Sequence, residues 1–94
     1  MFVRVVRFTG VTEEAMGSVV NRVRDSGGPP PGVDSSGIRL LFDAAAGTAV
    51  VLQEYATAEA MEEAAKIFDA MDAGDTPGTR VSVDACELRF EMSV

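Results

Sequence analysis

Few residues of this chain could do chemistry, and histidine is not among them. Histidine is the usual general base near neutral pH and the commonest metal ligand. Its absence excludes a Ser-His-Asp or Cys-His arrangement within these 94 residues. A structural zinc site draws its ligands mainly from Cys and His, and Cys86 is the only cysteine. The sequence therefore predicts no bound metal and no cofactor.

Polar side chains inside apolar segments are the remaining candidates. Tyr55, the only tyrosine, either closes the edge of the core or hydrogen-bonds a phenolic or carbonyl ligand. Arg4, Arg7 and Arg39 either bind an acidic ligand in a cavity or form salt bridges at strand edges and interfaces. Cys86 stands among apolar neighbours, so we expect it to be a small buried hydrophobic residue.

Residues 27–32 form a glycine- and proline-rich stretch, GGPPPG. Loops that hold phosphate do so with successive backbone N–H groups, and three consecutive prolines provide none. The stretch also follows a helical pattern and precedes a strand, which reverses the order that a phosphate loop requires. We interpret residues 27–36 as a stiff connector.

Composition and charge indicate one ordinary globular domain over residues 1–94, with 47% apolar and 24% charged residues. The net charge of −7 argues against nucleic acid or an anionic membrane as the main partner. The longest uncharged apolar run, residues 44–52, is too short to span a bilayer. A single cysteine excludes an internal disulfide, and the expected location is cytoplasmic.

Apolar periodicity divides the chain into four strands and two helices. The predicted strands are residues 2–8, 37–44, 48–55 and 80–92. The first helix runs from Thr12 to about Ser26, with Thr12 as its N-cap. The second helix begins after Thr57, carries Met71 in its apolar stripe, and stops at Gly74 and residues 75–78.

The last predicted strand changes its alternation partway along. Val81, Val83 and Ala85 are apolar at odd positions, whereas Leu88, Phe90 and Met92 are apolar at even positions. Side chains of a strand alternate between its two faces, so apolar residues cannot move from odd to even positions on one face without an extra residue, a bend or a change of strand partner. We therefore expect a bulge near residues 85–87, or a chain end that leaves its own sheet and suits pairing with a second subunit.

The order β-α-β-β-α-β predicts a ferredoxin-like α+β fold, with a four-stranded antiparallel sheet and both helices on one face. The opposite face would be solvated or buried by something else. None of the first three strands has a side that is polar at every second position, as a solvated face requires. Even the more polar sides carry apolar residues, among them Val3, Val5, Val50 and Leu52. We therefore expect a homodimer in which a second copy covers this face.

Four segments carry a resemblance to a known family. They are Phe2–Phe8, Pro31-Gly32 with the following Gly37 and Asp43, Leu52–Met61, and Arg80–Leu88. The pattern resembles the dimeric α+β-barrel superfamily and, within it, the small antibiotic-biosynthesis-monooxygenase-like proteins. By this resemblance, two sheets would pair into a barrel, and each chain would hold a small, mostly apolar molecule between its sheet and its helices.

The resemblance leaves two functions open. One is a binding protein of unassigned activity for a hydrophobic or aromatic molecule; the other is a cofactor-independent monooxygenase of an aromatic or quinol substrate. Haem-degrading members use a histidine and a tryptophan, and this chain has neither. Polyketide-oxidising members place Asn, Trp, Tyr and Arg around the substrate, and Tyr55 stands at a matching aromatic position. Together with Arg39 and Asn21, Tyr55 forms the candidate ligand-binding set.

Overall fold

The structure, a computed structural model, describes residues 1–70 and 77–94. Within them, six elements follow in the predicted order: β1 (Phe2–Thr9), α1 (Glu13–Ser26), β2 (Gly37–Asp43), β3 (Thr48–Tyr55), α2 (Ala58–Ala70) and β4 (Thr79–Glu87). Met71 in the predicted stripe of the second helix, and Gly74, Asp75 and Thr76 in its predicted stop, lie outside the described residues. Neither described helix is long and apolar enough to cross a membrane.

The four described strands form one antiparallel sheet in the order β2-β3-β1-β4. The central strand β1 pairs with β3 on one side and with β4 on the other, so that Val6 lies opposite both Val51 and Val83. Both helices cover the same face, because α1 packs through Met16 and α2 through Met61 and Ala64. The ferredoxin-like α+β fold is therefore confirmed.

Threonine caps begin both helices. The Thr12 Oγ1 accepts a hydrogen bond from the backbone N–H of Ala15, and the Thr57 Oγ1 accepts one from Ala60, each at 3.1 Å. The helix α1 ends at Gly27, whose φ of 71° is the left-handed conformation that glycine adopts without strain. The predicted caps at Thr12 and Thr57 are confirmed.

The strand β4 ends earlier than predicted, and its bulge lies elsewhere. Arg7 pairs with Ser82 but Phe8 pairs with Arg80, so Val81 is the extra residue. The predicted bulge near residues 85–87 is therefore wrong, because the register of β4 is set by its pairing with β1 as well as by its own alternation. The chain end does leave its own sheet: the pairing with β1 finishes where the Leu88 N–H donates to the Met1 carbonyl at 2.9 Å, and residues 89–94 belong to no strand. Its pairing with a second subunit stays a prediction.

Two separate apolar clusters pack between the sheet and the helices. The first cluster consists of Val6, Phe8, Val11, Met16 and Ala49. The second cluster consists of Val33, Tyr55, Met61 and Ala64. Among the described residues they share no member, and the polar side chains of Arg4 and Gln53 stand on the stretch of sheet between them.

The opposite side of the sheet, called here the open face, is not covered by a helix. It carries Val3, Val5, Val50 and Leu52 half-buried, and Leu41 exposed. Cys86 also lies on this side and is exposed, which contradicts the expectation of a buried thiol. The reason is its position: β4 is an edge strand, and no element of the described chain packs over the open face there.

Candidate functional site

A cavity of about 1030 Å³ lies between the sheet and the helices. Its walls come from β1, β2 and β3, from one side of each helix, and from the loop between α1 and β2. Apolar side chains line much of it, among them Val6, Val19, Leu40, Val51 and Phe68. A volume of this order accommodates a small organic molecule.

Arg4 is a buried charged group on the cavity wall. Its side chain points to the helix side of β1 and is 5% exposed. The Nη1 atom donates a hydrogen bond to Gln53 Oε1 at 3.0 Å, and the guanidinium carbon lies 5.2 Å from the centre of the Phe68 ring. The Nε atom is buried without a hydrogen-bond partner among the described residues.

Gln53 and Tyr55 complete a polar trio with Arg4. The Tyr55 side chain is fully buried, and its hydroxyl donates to Gln53 Oε1 across 3.4 Å, which is a long and therefore weak hydrogen bond. Burial raises the pKa of the Tyr55 phenol, and the positive charge of Arg4 opposes that rise. The phenol is thus protonated at neutral pH and serves as a hydrogen-bond donor.

Strand register brings the trio together. Arg4 on β1 and Gln53 on β3 are direct cross-strand partners, and Tyr55 lies two residues along β3 on the same face. On its other side Arg4 pairs with Ala85, whose small side chain leaves room beside the guanidinium. The positions of these three groups are therefore set by backbone hydrogen bonds of the central strands.

Burial also changes the electrostatics of Arg4. Desolvation lowers the pKa of its guanidinium, while the Tyr55 phenol and the Asp69 carboxyl act in the opposite direction. Among the described residues no carboxylate lies within salt-bridge distance of Arg4, and the nearby Asp69 instead pairs with Arg80 at 3.9 Å. Arg22 of α1 lines the cavity as well.

The loop between α1 and β2 forms one wall of the cavity. Residues 30–33 make a tight turn in which the Val33 N–H donates to the Pro30 carbonyl at 3.1 Å. Gly32 has φ of 87°, and a proline followed by glycine is typical of a type II turn. Val33 inserts into the second cluster, and the Ser36 N–H donates to the Glu54 carbonyl at 2.8 Å. The loop is therefore a connector that is anchored at one end and contributes Pro29, Pro30 and Pro31 to the cavity.

The structure separates the three candidate residues that the sequence suggested. Tyr55 lies on the cavity wall. Arg39 points to the open face, where its Nε lies 3.6 Å from a carboxylate oxygen of Glu54 and most of its side chain is exposed. Asn21 is exposed on α1, on the side turned away from Val19 and Val23, which line the cavity.

Arg4 was considered as one of three arginines that could bind an acidic ligand but was left out of the candidate set, and Gln53 was not considered, although the sequence contains a signal for both. Every second residue of a strand lies on the same face of the sheet, and each of these two polar residues shares its face with mostly apolar ones. The neighbours on that face are Phe2, Val6 and Phe8 for Arg4, and Ala49, Val51 and Tyr55 for Gln53. A polar side chain on an otherwise apolar strand face must find a partner in the interior. Cross-strand pairing satisfies that requirement here.

At neutral pH the trio offers hydrogen-bond donors in an apolar surround: a cationic guanidinium, a phenol and a primary amide. This arrangement suits binding a mostly apolar molecule that carries an oxygen acceptor. No group of three or more His, Cys, Asp or Glu side chains within residues 1–70 and 77–94 is arranged to hold a metal ion.

The fold and the cavity define a small ferredoxin-like α+β protein with an internal polar trio. No protein-family model, curated protein or solved structure matches the chain. Membership of the antibiotic-biosynthesis-monooxygenase-like proteins therefore stays a prediction that rests on the four sequence segments named above.

Proposed function

We propose that this protein binds a small, mostly apolar molecule in the cavity between its sheet and its helices. The observation that carries the proposal is the cavity itself, about 1030 Å³ bounded by two apolar clusters and by the buried trio of Arg4, Gln53 and Tyr55. Ligand sites in proteins are typically concave and mostly apolar, with a few convergent polar groups. This cavity has those properties.

Partial filling of the cavity tests the proposal. Val51→Phe adds a ring to the cavity wall, whereas Val50→Phe adds the same ring to the open face of the same strand. Binding of Nile red, an uncharged apolar dye, is measured by its fluorescence in both variants and in the wild type. We expect the wild type and Val50→Phe to bind the dye, and Val51→Phe to bind it at least about tenfold more weakly. Equal binding by both variants would place the dye elsewhere and refute the cavity as its site, and a wild type that binds neither the dye nor the apolar acids and amides described below would refute the proposal.

We propose further that the protein is a homodimer in which a second copy covers the open face. Two observations support this: the half-buried apolar residues of that face, and the apolar chain end beyond Glu87, where Phe90 is 78% exposed. The face also carries charges of both signs, including Arg7, Asp43 and Asp84. A copy related by a twofold axis can pair unlike charges at the rim while burying the apolar centre.

Native mass spectrometry of the purified protein tests the assembly. The expected result is a species at twice the chain mass of 9.9 kDa. A bound molecule that survives on this species would also identify the ligand class. A monomer at micromolar concentration would refute the homodimer and leave the cavity proposal standing.

A further inference from the structure

The charge of Arg4 is not balanced by the described protein around it. Its hydrogen-bond acceptor is the uncharged Gln53 Oε1, its Nε has none, and the nearby Asp69 pairs with Arg80. A cation that is 5% exposed is unfavourable unless an anion compensates it. Among residues 1–70 and 77–94, no carboxylate pairs with this buried cation, which lies on the wall of a ligand-sized cavity.

The geometry around the guanidinium favours a planar anion. Phe68 lies against the guanidinium, 5.2 Å from its central carbon, and one N–H of the five is used by Gln53. A carboxylate pairs with the N–H groups in the plane of a guanidinium, often through two parallel hydrogen bonds. The Tyr55 hydroxyl donates to the same Gln53 Oε1 that accepts from Arg4, so this amide oxygen holds both side chains in place.

We propose that the molecule bound in the cavity carries a carboxylate, and that this carboxylate pairs with Arg4. The inference rests on the proposed binding function and narrows it to apolar carboxylic acids. The acid group compensates the buried cation, and the apolar remainder fills the space between the two clusters. Arg4 thus determines which apolar molecules are accepted, because an uncharged analogue leaves its charge uncompensated.

Matched pairs of ligands test this inference. Isothermal titration calorimetry compares decanoate with decanamide and cinnamate with cinnamamide, each pair differing only in the charge of the head group. For at least one pair, we expect the acid to bind about tenfold or more tightly than the amide. The pair that shows the preference distinguishes an aliphatic acid from an aromatic one.

Two arginine variants test whether the preference for acid over amide comes from Arg4. Arg4→Met should bind acid and amide equally, with little change in the affinity for the amide. Arg39→Met removes the same group from the open face and should keep the full preference. If Arg4→Met does not fold, Arg22→Met and Arg80→Met, which remove the other described cations of the cavity wall, take its place: each should keep the preference, and its loss in either variant would overturn the role of Arg4.

The outcomes separate the two proposals. Equal affinities of the wild type for acid and amide would overturn the role of Arg4 and leave the binding function intact. A preference that persists in Arg4→Met would overturn it too. If neither ligand of either pair binds and Nile red does not bind, the proposed function fails, and the inference fails with it.

Discussion

Replacement of Gly32 by alanine tests the geometry of the loop that forms one cavity wall. The φ of Gly32 is 87°, a conformation that costs an L residue about 1–2 kcal/mol. A Cβ built at this position lies 2.9 Å from Ile67 Cδ1. Moving the Ile67 side chain off its preferred rotamer adds about 0.5–1.5 kcal/mol. The reduced entropy of the unfolded chain offsets about 0.4–1 kcal/mol of this total.

We therefore expect Gly32→Ala to lower the free energy of unfolding by about 2 kcal/mol. For a domain of this length that change lowers the Tm by about 8–16 °C. The assay is urea unfolding followed by circular dichroism, with the m-value checked for constancy. Gly28→Ala is the matched control, because Gly28 has no positive φ and open space around its Cβ position. We expect this control to be neutral or slightly stabilising.

A second background separates the two contributions at Gly32. Ile67→Val removes the Cδ1 atom that the new Cβ would contact. In that background the cost of Gly32→Ala should fall by about 0.5–1.5 kcal/mol and leave the backbone contribution. If Gly32→Ala were as stable as the wild type, the left-handed conformation of the turn would be refuted. If its cost were the same in both backgrounds, the contact with Ile67 would be refuted.

Three further predictions concern the site, the assembly and a helix end. Because burial raises the pKa of Tyr55 in the folded state, the ultraviolet absorbance of its tyrosinate should appear at higher pH in the native protein than in urea. The free energy of unfolding should therefore fall above about pH 10, by up to about 1.4 kcal/mol per pH unit, and should fall less in Tyr55→Phe. Coincident titrations in the native and urea-unfolded states would contradict the buried phenol. Phe90→Asp should leave the circular dichroism spectrum unchanged and shift the native mass from dimer to monomer. Ser93→Asp adds the same charge and should remain dimeric. A dimer of unchanged affinity in Phe90→Asp would exclude the chain end from the interface. Thr12→Ala should lower the free energy of unfolding by about 1 kcal/mol through loss of the cap, as measured by urea unfolding. Ser18→Ala, exposed in the middle of the same helix, should be neutral or slightly stabilising because alanine has the higher helix propensity. Equal effects of the two substitutions would show that the cap does not stabilise the helix.

Local patterns were sufficient to predict most of the elements. Thr12 and Thr57 are good caps in front of amphipathic segments, and the structure uses both. The bounds of β3 agree with the prediction because Gly47 precedes the strand, the Thr57 cap follows it, and no Gly or Pro interrupts residues 48–55. These features depend on residues close in sequence, so one sequence reveals them.

Features that depend on distant partners were harder to predict. The bulge lies at Val81 because β4 must match β1, and neither strand shows that register alone. Cys86 is exposed because its strand is at an edge, which strand order determines. Arg4 was grouped with Arg7 and Arg39 because all three could either bind an acidic ligand or form salt bridges. The apolar strand face around Arg4 sets it apart in the sequence, but its partner Gln53 is 49 residues away and emerges only from the strand pairing.

The division of the core into two clusters has a consequence for cooperativity. The first cluster joins α1 to the sheet and the second joins α2 and the loop to it, with the cavity between them. Because the two clusters share no member among the described residues, few packing contacts join them, so each half can open in its own local fluctuation. A molecule that contacts both clusters would connect them into one cooperative unit. Amide hydrogen exchange would then slow together in both helices, including amides far from the molecule itself.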